Sequence, residues 1–224
     1  MPTVDSVSSF SASTGVGPFT WAHTCSGADR LLRVTTSHYD SSDSVTDITY
    51  NGVALTAVPG GATTNGQYWI TAYYLIAPDV GTYNIVVTVS GNVFDFGAGA
   101  ISYNDVHQTV PFGTAVTATG TDTTPTVTVS SAADELVDDG LVIIHGGTLS
   151  VGAGQTQRWN AITTTGFIKY AGSTEVGAAS TTMSWSNSSS QTWAIVAVPI
   201  KPTVGAPATS IVPHQAYYRR RRAA

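Results

Sequence analysis

Cysteine, charge and glutamate are all scarce in this chain of 224 residues. Cys25 is the only cysteine, which excludes an intrachain disulfide, a thiolate zinc cluster and a C-x-x-C redox pair. Charged residues make up 10% of the chain and hydrophobic residues 42%, so burial of apolar side chains must stabilise the fold. The polar remainder is dominated by Ser, Thr, Gly and Asn, which suit exposed strand faces and turns.

The sequence motifs of common enzymes and metal sites are also missing. There is no G-x-S-x-G elbow, and Glu135 and Glu175 are the only glutamates, so the supply of catalytic carboxylates is poor. No H-x-H or H-E-x-x-H spacing brings two histidines onto one metal ion. We therefore expect no enzyme activity and no cofactor; a polysaccharide depolymerase is the enzymatic alternative.

The chain begins without a basic segment followed by an apolar run, and no stretch approaches the ~18 apolar residues of a membrane helix. The sequence thus predicts a soluble protein made without a classical export signal and without a membrane partner.

Charge is distributed unevenly along the chain. The net charge is -5, but four arginines lie together near the end, so residues 1–218 carry -9. Nucleic-acid-binding faces need Lys and Arg to offset phosphate charge, so the acidic body argues against one. Contact with nucleic acid is expected only through the tail.

Short runs rich in Val, Ile, Thr, Tyr and Trp recur between clusters of Gly, Asn, Asp and Pro, while helical periodicity is nearly absent. This pattern predicts an all-β fold, an antiparallel β-sandwich of many short strands resembling a jelly roll. We assign residues 1–202 to one sandwich domain and residues 203–224 to a Pro/Gly/Ala linker with a flexible, arginine-rich tail. In the later part of the chain the predicted strands are 125–130, 140–146, 155–162, 166–171, 180–186 and 192–200.

Three local patterns are informative. Asn51-Gly52 lies between two strand-like runs and tolerates positive φ at both positions, which predicts a type I′ hairpin turn. Ile85, Val87 and Val89 alternate with other residues and predict one buried strand face. Residues 194–198 (AIVAV) are apolar at every position, as in a central strand covered on both faces.

The two halves of the sequence show weak similarity. Residues 28–32 (ADRLL) are similar to residues 133–136 (ADEL), and both runs lead into a predicted strand that ends near a histidine. Residues 80–83 (VGTY) parallel residues 176–178 (VGA) in the same way. An internal duplication is therefore one interpretation, and chance similarity between hairpins is the other.

Two segments are candidate binding sites within the body. Asp40, Asp43 and Asp47 supply hard carboxylate oxygens in a Ser-rich loop, which suits Ca²⁺; a solvated turn is the alternative. Four aromatic residues share one predicted strand, where alternation groups Trp69 with Tyr73 and Tyr68 with Tyr74. One pair is expected to face the core, and the other to form a subunit interface or a platform for a sugar ring.

The tail is a third candidate site. A compact group of cations and aromatic residues can dock on an acidic neighbouring subunit or contact a packaged genome through charge-assisted hydrogen bonds. A passive solubilising end is the alternative. The residues are Tyr217, Tyr218, Arg219, Arg220, Arg221 and Arg222.

Residues 30–34 (RLLRV), 48–56 (ITYNGVALT), 191–195 (QTWAI) and 199–202 (PIKP) together resemble β-sandwich domains of tailed-phage structural proteins and bacterial surface proteins. The resemblance covers roughly residues 5–202 and marks hairpins and core strands, so it transfers no functional residue. It implies an oligomeric virion structural protein, either decorating or building a capsid, that is assembled in the host cytoplasm with other virion proteins. The alternative is a carbohydrate-binding or adhesion module of a fibre or cell surface.

Overall fold

The computed structural model describes residues 1–203, which fold into 17 strands joined by turns, without a helix. The strands of the first half are β1 (Thr3–Gly15), β2 (Phe19–Cys25), β3 (Leu31–Tyr39), β4 (Val45–Tyr50), β5 (Val53–Ala54), β6 (Thr56–Asn65), β7 (Tyr68–Ile76), β8 (Gly81–Val89) and β9 (Val93–Asn104). Those of the second half are β10 (Val116–Asp122), β11 (Thr126–Val129), β12 (Leu136–Ile144), β13 (Leu149–Val151), β14 (Thr156–Ile162), β15 (Ile168–Val176), β16 (Thr181–Asn187) and β17 (Gln191–Ile200).

The first half is a jelly roll. Its strands form a five-stranded sheet in the order β1-β9-β3-β7-β6 and a four-stranded sheet in the order β2-β8-β4-β5. Strands β1 to β4 alternate between the two sheets, and the returning strands β7 to β9 pair beside them in reverse order, so β1 lies beside β9 and β2 beside β8. This interleaving of outgoing and returning antiparallel strands defines a jelly roll.

The second half repeats this topology. Its larger sheet has the order β10-β17-β12-β15-β14 and its smaller sheet the order β11-β16-β13. Replacing each strand by its counterpart in the first half reproduces both orders, with only β5 left over. The internal duplication, which was one of the two interpretations of the sequence, is therefore present in the topology. The all-β sandwich prediction is confirmed.

Four sheets are stacked in the molecule, with the two five-stranded sheets in the middle. One apolar cluster fills the sandwich of each half, around Trp21 and Phe96 in the first and around Trp185 and Leu141 in the second. Two further clusters join the five-stranded sheets to each other. Each central sheet is consequently buried on both faces.

The inner strands follow the expected burial. Ile85, Val87 and Val89 are all buried on one face of β8. In β17, Ile195 faces the core of the second sandwich, while Val196 faces the joint between the halves. Both predictions from the sequence are confirmed.

Close packing of the halves depends on glycine. The ring of Trp159 on β14 lies against Gly99 of β9 and Gly172 of β15. A Cβ atom would lie 2.1 Å from the ring at Gly99 and 2.2 Å from it at Gly172, far inside van der Waals contact. Any larger residue would therefore push the two sheets apart.

The hairpin turn at Asn51-Gly52 is confirmed. Asn51 has a φ of 48° and Gly52 a φ of 77°, and the flanking residues Tyr50 and Val53 pair across the hairpin. Positive φ at both central residues is the signature of a type I′ turn.

After residue 125 the two largest differences from the predicted strand boundaries concern β12 and β15, and one strand in this region was missed. Strand β12 begins at Leu136 rather than at residue 140, and β15 continues to Val176 rather than ending at residue 171. The early start includes Asp138 and Asp139, which are 2% and 1% exposed. Buried carboxylates are rare in central strands, and these two are accommodated because each has specific partners. The three-residue strand β13 is too short to give a recognisable alternation.

Candidate functional site

The four candidate aromatic residues lie on β7, where they divide between its two faces as the alternation predicts. Strand β7 lies between β3 and β6 in the five-stranded sheet, and both faces of this sheet are covered by apolar clusters. Tyr73 packs against the core of the first sandwich, whereas Tyr68 and Tyr74 pack against the joint between the halves. All four are partly buried.

Trp69 and Tyr73 serve the first sandwich. The Trp69 ring stacks on His38 with centroids 6.4 Å apart and 9° between the planes, and its Nε1 donates to the backbone oxygen of Asp40 at 3.1 Å. Burial raises the pKa of Tyr73 to about 12. These two residues therefore act as packing groups.

Tyr68 belongs to an aromatic patch that sequence reasoning missed. Tyr39 at the end of β3 contacts all three other members, with ring centroids 5.2 Å from Tyr68, 5.4 Å from Phe94 and 4.7 Å from Phe167. Phe94 is 47% exposed, and the other three rings are partly buried. We call these four residues the seam patch, because Phe167 belongs to the second half and the others to the first.

The seam patch is the described surface with the most aromatic character. Its ring distances and tilted or edge-on orientations are those of favourable aromatic pairs. Its partly buried rings help to close the joint between the jelly rolls, and Phe94, which is 47% exposed, is available for contact. Successive members of the patch are at least 26 positions apart in the sequence, so only the fold brings them together.

Tyr74 lines a different feature, a shallow groove of about 250 Å³. Its ring meets Phe112 edge-on at 4.9 Å. The groove has no charged lining residue, so it offers apolar contact and backbone groups only. Its lining consists of Val58, Pro59, Tyr74, Thr109, Val110, Pro111, Phe112 and Gly113.

The three aspartates predicted to bind Ca²⁺ do not converge. Asp40 accepts from the backbone nitrogen of Ser41 at 2.6 Å and from the Ser44 hydroxyl, while Asp43 accepts from the backbone nitrogen of Val45 at 3.2 Å. Asp47 is exposed on β4. Within residues 1–203, no group of three or more His, Cys, Asp or Glu side chains is arranged to hold a metal ion. The predicted calcium geometry is therefore missing, and the loop carboxylates instead bond to their own loop.

His38 lies beneath this loop and is fully buried. Its Nε2 is 3.5 Å from a carboxylate oxygen of Asp43 and accepts from the backbone nitrogen of Ser44 at 3.4 Å. Burial lowers the pKa of His38, although Asp43 and Asp40 oppose that shift. The imidazole is thus a neutral anchor for the loop.

The closest approach to a nucleophile–base pair is Ser8 with His23. The Ser8 hydroxyl lies 2.8 Å from His23 Nδ1 and also accepts from Trp21 Nε1 at 3.1 Å. Burial lowers the pKa of His23 to about 4, and the His23 Nε2 has no hydrogen-bond partner among the described residues. No carboxylate orients the imidazole through that nitrogen, which a catalytic triad requires.

The most strongly held ionic group joins the two halves. Arg33 of β3 donates to Asp138 of β12 through Nε at 3.0 Å and Nη2 at 2.9 Å, and the Tyr103 hydroxyl donates to Asp138 at 3.0 Å. Both charged side chains are almost completely buried. Arg33 and Asp138 occupy the third position of equivalent strands, so the pair lies where the duplicated sheets face each other.

The predicted tail site lies outside the described residues. It comprises Tyr217, Tyr218, Arg219, Arg220, Arg221 and Arg222. The boundary at residue 202 and the docking of the tail stay predictions.

Comparison with protein-family models, with curated proteins and with solved structures found no match. The resemblance to phage and bacterial surface domains thus stays a prediction from the sequence motifs. Within residues 1–203, no helix is long and apolar enough to cross a membrane.

Proposed function

We propose that this chain is a virion structural protein, a capsid-decorating or capsid-building subunit that associates with copies of itself and with other virion proteins. The observation that carries the proposal is the duplicated jelly roll, joined through its two large sheets into a four-layered block. Jelly rolls recur in viral capsid proteins and also in lectins, so this support is a fold-level analogy.

The interior of the block holds the two jelly rolls in one fixed arrangement, as a subunit of a repeating assembly needs. The Arg33–Asp138 pair is bidentate and shielded from water, so it fixes the angle and register between the jelly rolls. Buried ionic groups of this kind serve to specify one arrangement more than to add stability. A subunit that must repeat identically in an assembly requires such a single arrangement.

The exterior fits repeated contact between copies. Exposed threonines pair across strands, with hydroxyls 2.8 Å apart at Thr24 and Thr82 and 2.9 Å apart at Thr128 and Thr182. Hydroxyl-rich faces with few charges allow acidic copies to approach without strong repulsion. The basic tail would add attraction to this acidic body, or contact a packaged genome.

A carbohydrate-binding or adhesion module is the second candidate, favoured by the seam patch. Aromatic faces stack on sugar rings, and Phe94 presents such a face beside Tyr39 and Tyr68. On this reading the chain would sit on a fibre or a cell surface.

Light scattering on the purified full-length chain, combined with a glycan array, separates these candidates. The virion proposal predicts species larger than one chain that grow with concentration, and no glycan retention that depends on Phe94. A monomer at every concentration, with glycan binding lost in Phe94→Ala but kept in the exposed control Val80→Ala, would replace the first candidate by the second.

A further inference from the structure

The longest edge strand of the described molecule is β1. The four sheets have eight edge strands, and β1 has 13 residues, against 10 in β6 and 7 or fewer in the others. An edge strand presents unpaired backbone N–H and C=O groups along its outer rim, which makes it a template for another strand.

Of the other three edges of the five-stranded sheets, β10 has only seven residues, and β6 and β14 carry features that discourage pairing. Strand β6 contains Pro59 and an irregular register between Ala57 and Ala62. Strand β14 contains the charged Arg158 at a second irregularity. Irregular register, proline and charge are the features by which natural proteins protect sheet edges.

Strand β1 lacks this protection from Ser6 to Gly15. This stretch has no charged residue and no proline, and its one register shift lies before it, between Val4 and Ser6. Its backbone pairs with β9 on one side, and no other backbone hydrogen bond to residues 6–15 occurs within residues 1–203. In an antiparallel pair, every second residue turns its N–H and C=O away from the partner, so the outer rim offers a regular row of donors and acceptors.

We propose that β1 pairs in antiparallel fashion with β1 of a second copy of this chain. The inference rests on the self-association in the proposed function and names its interface. A two-fold axis midway between the two β1 strands makes the contact self-complementary. It joins the sheet that contains β1 in one copy to the same sheet of the other copy.

A second copy fits this rim because of charge and shape. Residues 1–218 carry -9, so two bodies repel each other except where charge is absent, as it is along residues 6–15 of this strand. Val7 is a 37% exposed apolar side chain on the strand, and pairing would bury it against the second copy. The contact therefore combines backbone pairing with apolar burial.

The first test places a charge on the strand. Val7→Lys puts a charge on the paired stretch of both copies, while Val80→Lys places the same charge on a 57% exposed valine between β7 and β8. Sedimentation velocity on the full-length proteins should show association weakened by roughly tenfold or more in Val7→Lys and unchanged in Val80→Lys. Circular dichroism checks that both variants keep the fold.

The second test locates the contact directly. Cys25 is fully buried, so a cysteine introduced on the surface is the only accessible thiol. Opposed Cα atoms of antiparallel strands lie about 4.5–5.5 Å apart, within the range that a disulfide spans. Antiparallel pairing places only the residue at the two-fold axis opposite its own copy. Among Val7→Cys, Ser9→Cys and Ser13→Cys, we therefore expect the variant nearest the axis to form covalent dimers under oxidation or with a short bis-maleimide, and Val80→Cys to remain monomeric on a denaturing gel.

The outcomes distinguish this inference from the proposed function. Equal association of wild type, Val7→Lys and Val80→Lys, without cross-links on β1, would overturn the β1 interface and leave self-association standing. A monomeric wild type would overturn both. Cross-linking that appears only after residues 203–224 are removed would assign the rim to the chain's own tail and contradict pairing between copies.

Discussion

The buried pair between the jelly rolls makes the sharpest stability prediction. Arg33 and Asp138 are 2% and 3% exposed and are joined by two short hydrogen bonds. Replacing Arg33 by Met leaves a buried carboxylate without its cation, and replacing Asp138 by Asn leaves a buried guanidinium without its anion. Removing one partner of a buried ion pair costs about 3–5 kcal/mol.

The double variant should be far less destabilised than the sum of the single variants. With Met at position 33 and Asn at position 138, neither member of the pair leaves a buried charge, and the Tyr103 hydroxyl keeps an acceptor in the Asn oxygen. Apolar replacement of a whole buried pair is often close to neutral. We therefore expect a coupling free energy of about 2 kcal/mol or more, at the upper end of that found for residues in contact.

Urea denaturation with a constant m-value measures these differences through the midpoint. Arg158→Met is the matched control, because that arginine donates to the Thr174 hydroxyl at 2.8 Å and has no carboxylate partner. Loss of this hydrogen bond should lower the free energy of unfolding by about 1 kcal/mol. The reasoning would be refuted if the stability losses of the two single variants summed to the loss of the double variant within about 0.5 kcal/mol, since independent sites add in this way.

Three further predictions concern the turn, the buried titratable groups and the tail. Gly52→Val should lower the stability measured by thermal denaturation by about 1–3 kcal/mol, because the φ of 77° at this position strains a β-branched residue. A Cβ atom there meets nothing within 4 Å, so the strain comes from the backbone alone. Gly52→Asn should lose less stability, and equal melting temperatures would contradict the turn. Burial lowers the pKa of His23 to about 4 and raises that of Asp139 to about 7. Stability linked to His23 is thus lost as pH falls from about 6.5 to 4, and stability linked to Asp139 is lost as pH rises from about 4 to 7. His23→Leu and Asp139→Asn should each flatten one of these slopes in urea midpoints measured against pH, and unchanged slopes would contradict the assignment. Truncation after Pro202 should keep the circular dichroism spectrum and weaken association in a salt-dependent way; identical sedimentation of both forms at every salt concentration would make the tail a passive end.

Much of the architecture was predictable because its signals are local. Asn51-Gly52 specifies its turn by tolerance of positive φ, and the alternation at Ile85, Val87 and Val89 reports one buried face. These signals act within a few residues, so the strand pattern and the sandwich class could be read from the sequence. The structure adds the order in which these strands pair in each jelly roll.

The missed features depend on contacts between distant residues. Asp138 and Asp139 interrupt an apolar run and concealed the start of β12, and their partners Arg33, Ser173 and Trp185 come from other strands. The seam patch likewise joins residues from β3, β7 and β9 with a loop of the second half. Tyr68 and Tyr74, which the sequence grouped as one pair on β7, pack at the joint because the second half covers that face.

Absolute quantification of this chain in purified particles tests the central claim most directly. Particles from the source culture would be separated by density, treated with nuclease and protease inhibitors, and analysed by mass spectrometry with labelled peptide standards from residues 1–203. The account predicts a copy number in simple proportion to the main shell protein, kept through gradient purification. A chain found only in the soluble or cell-envelope fractions, and absent from particles, would contradict it.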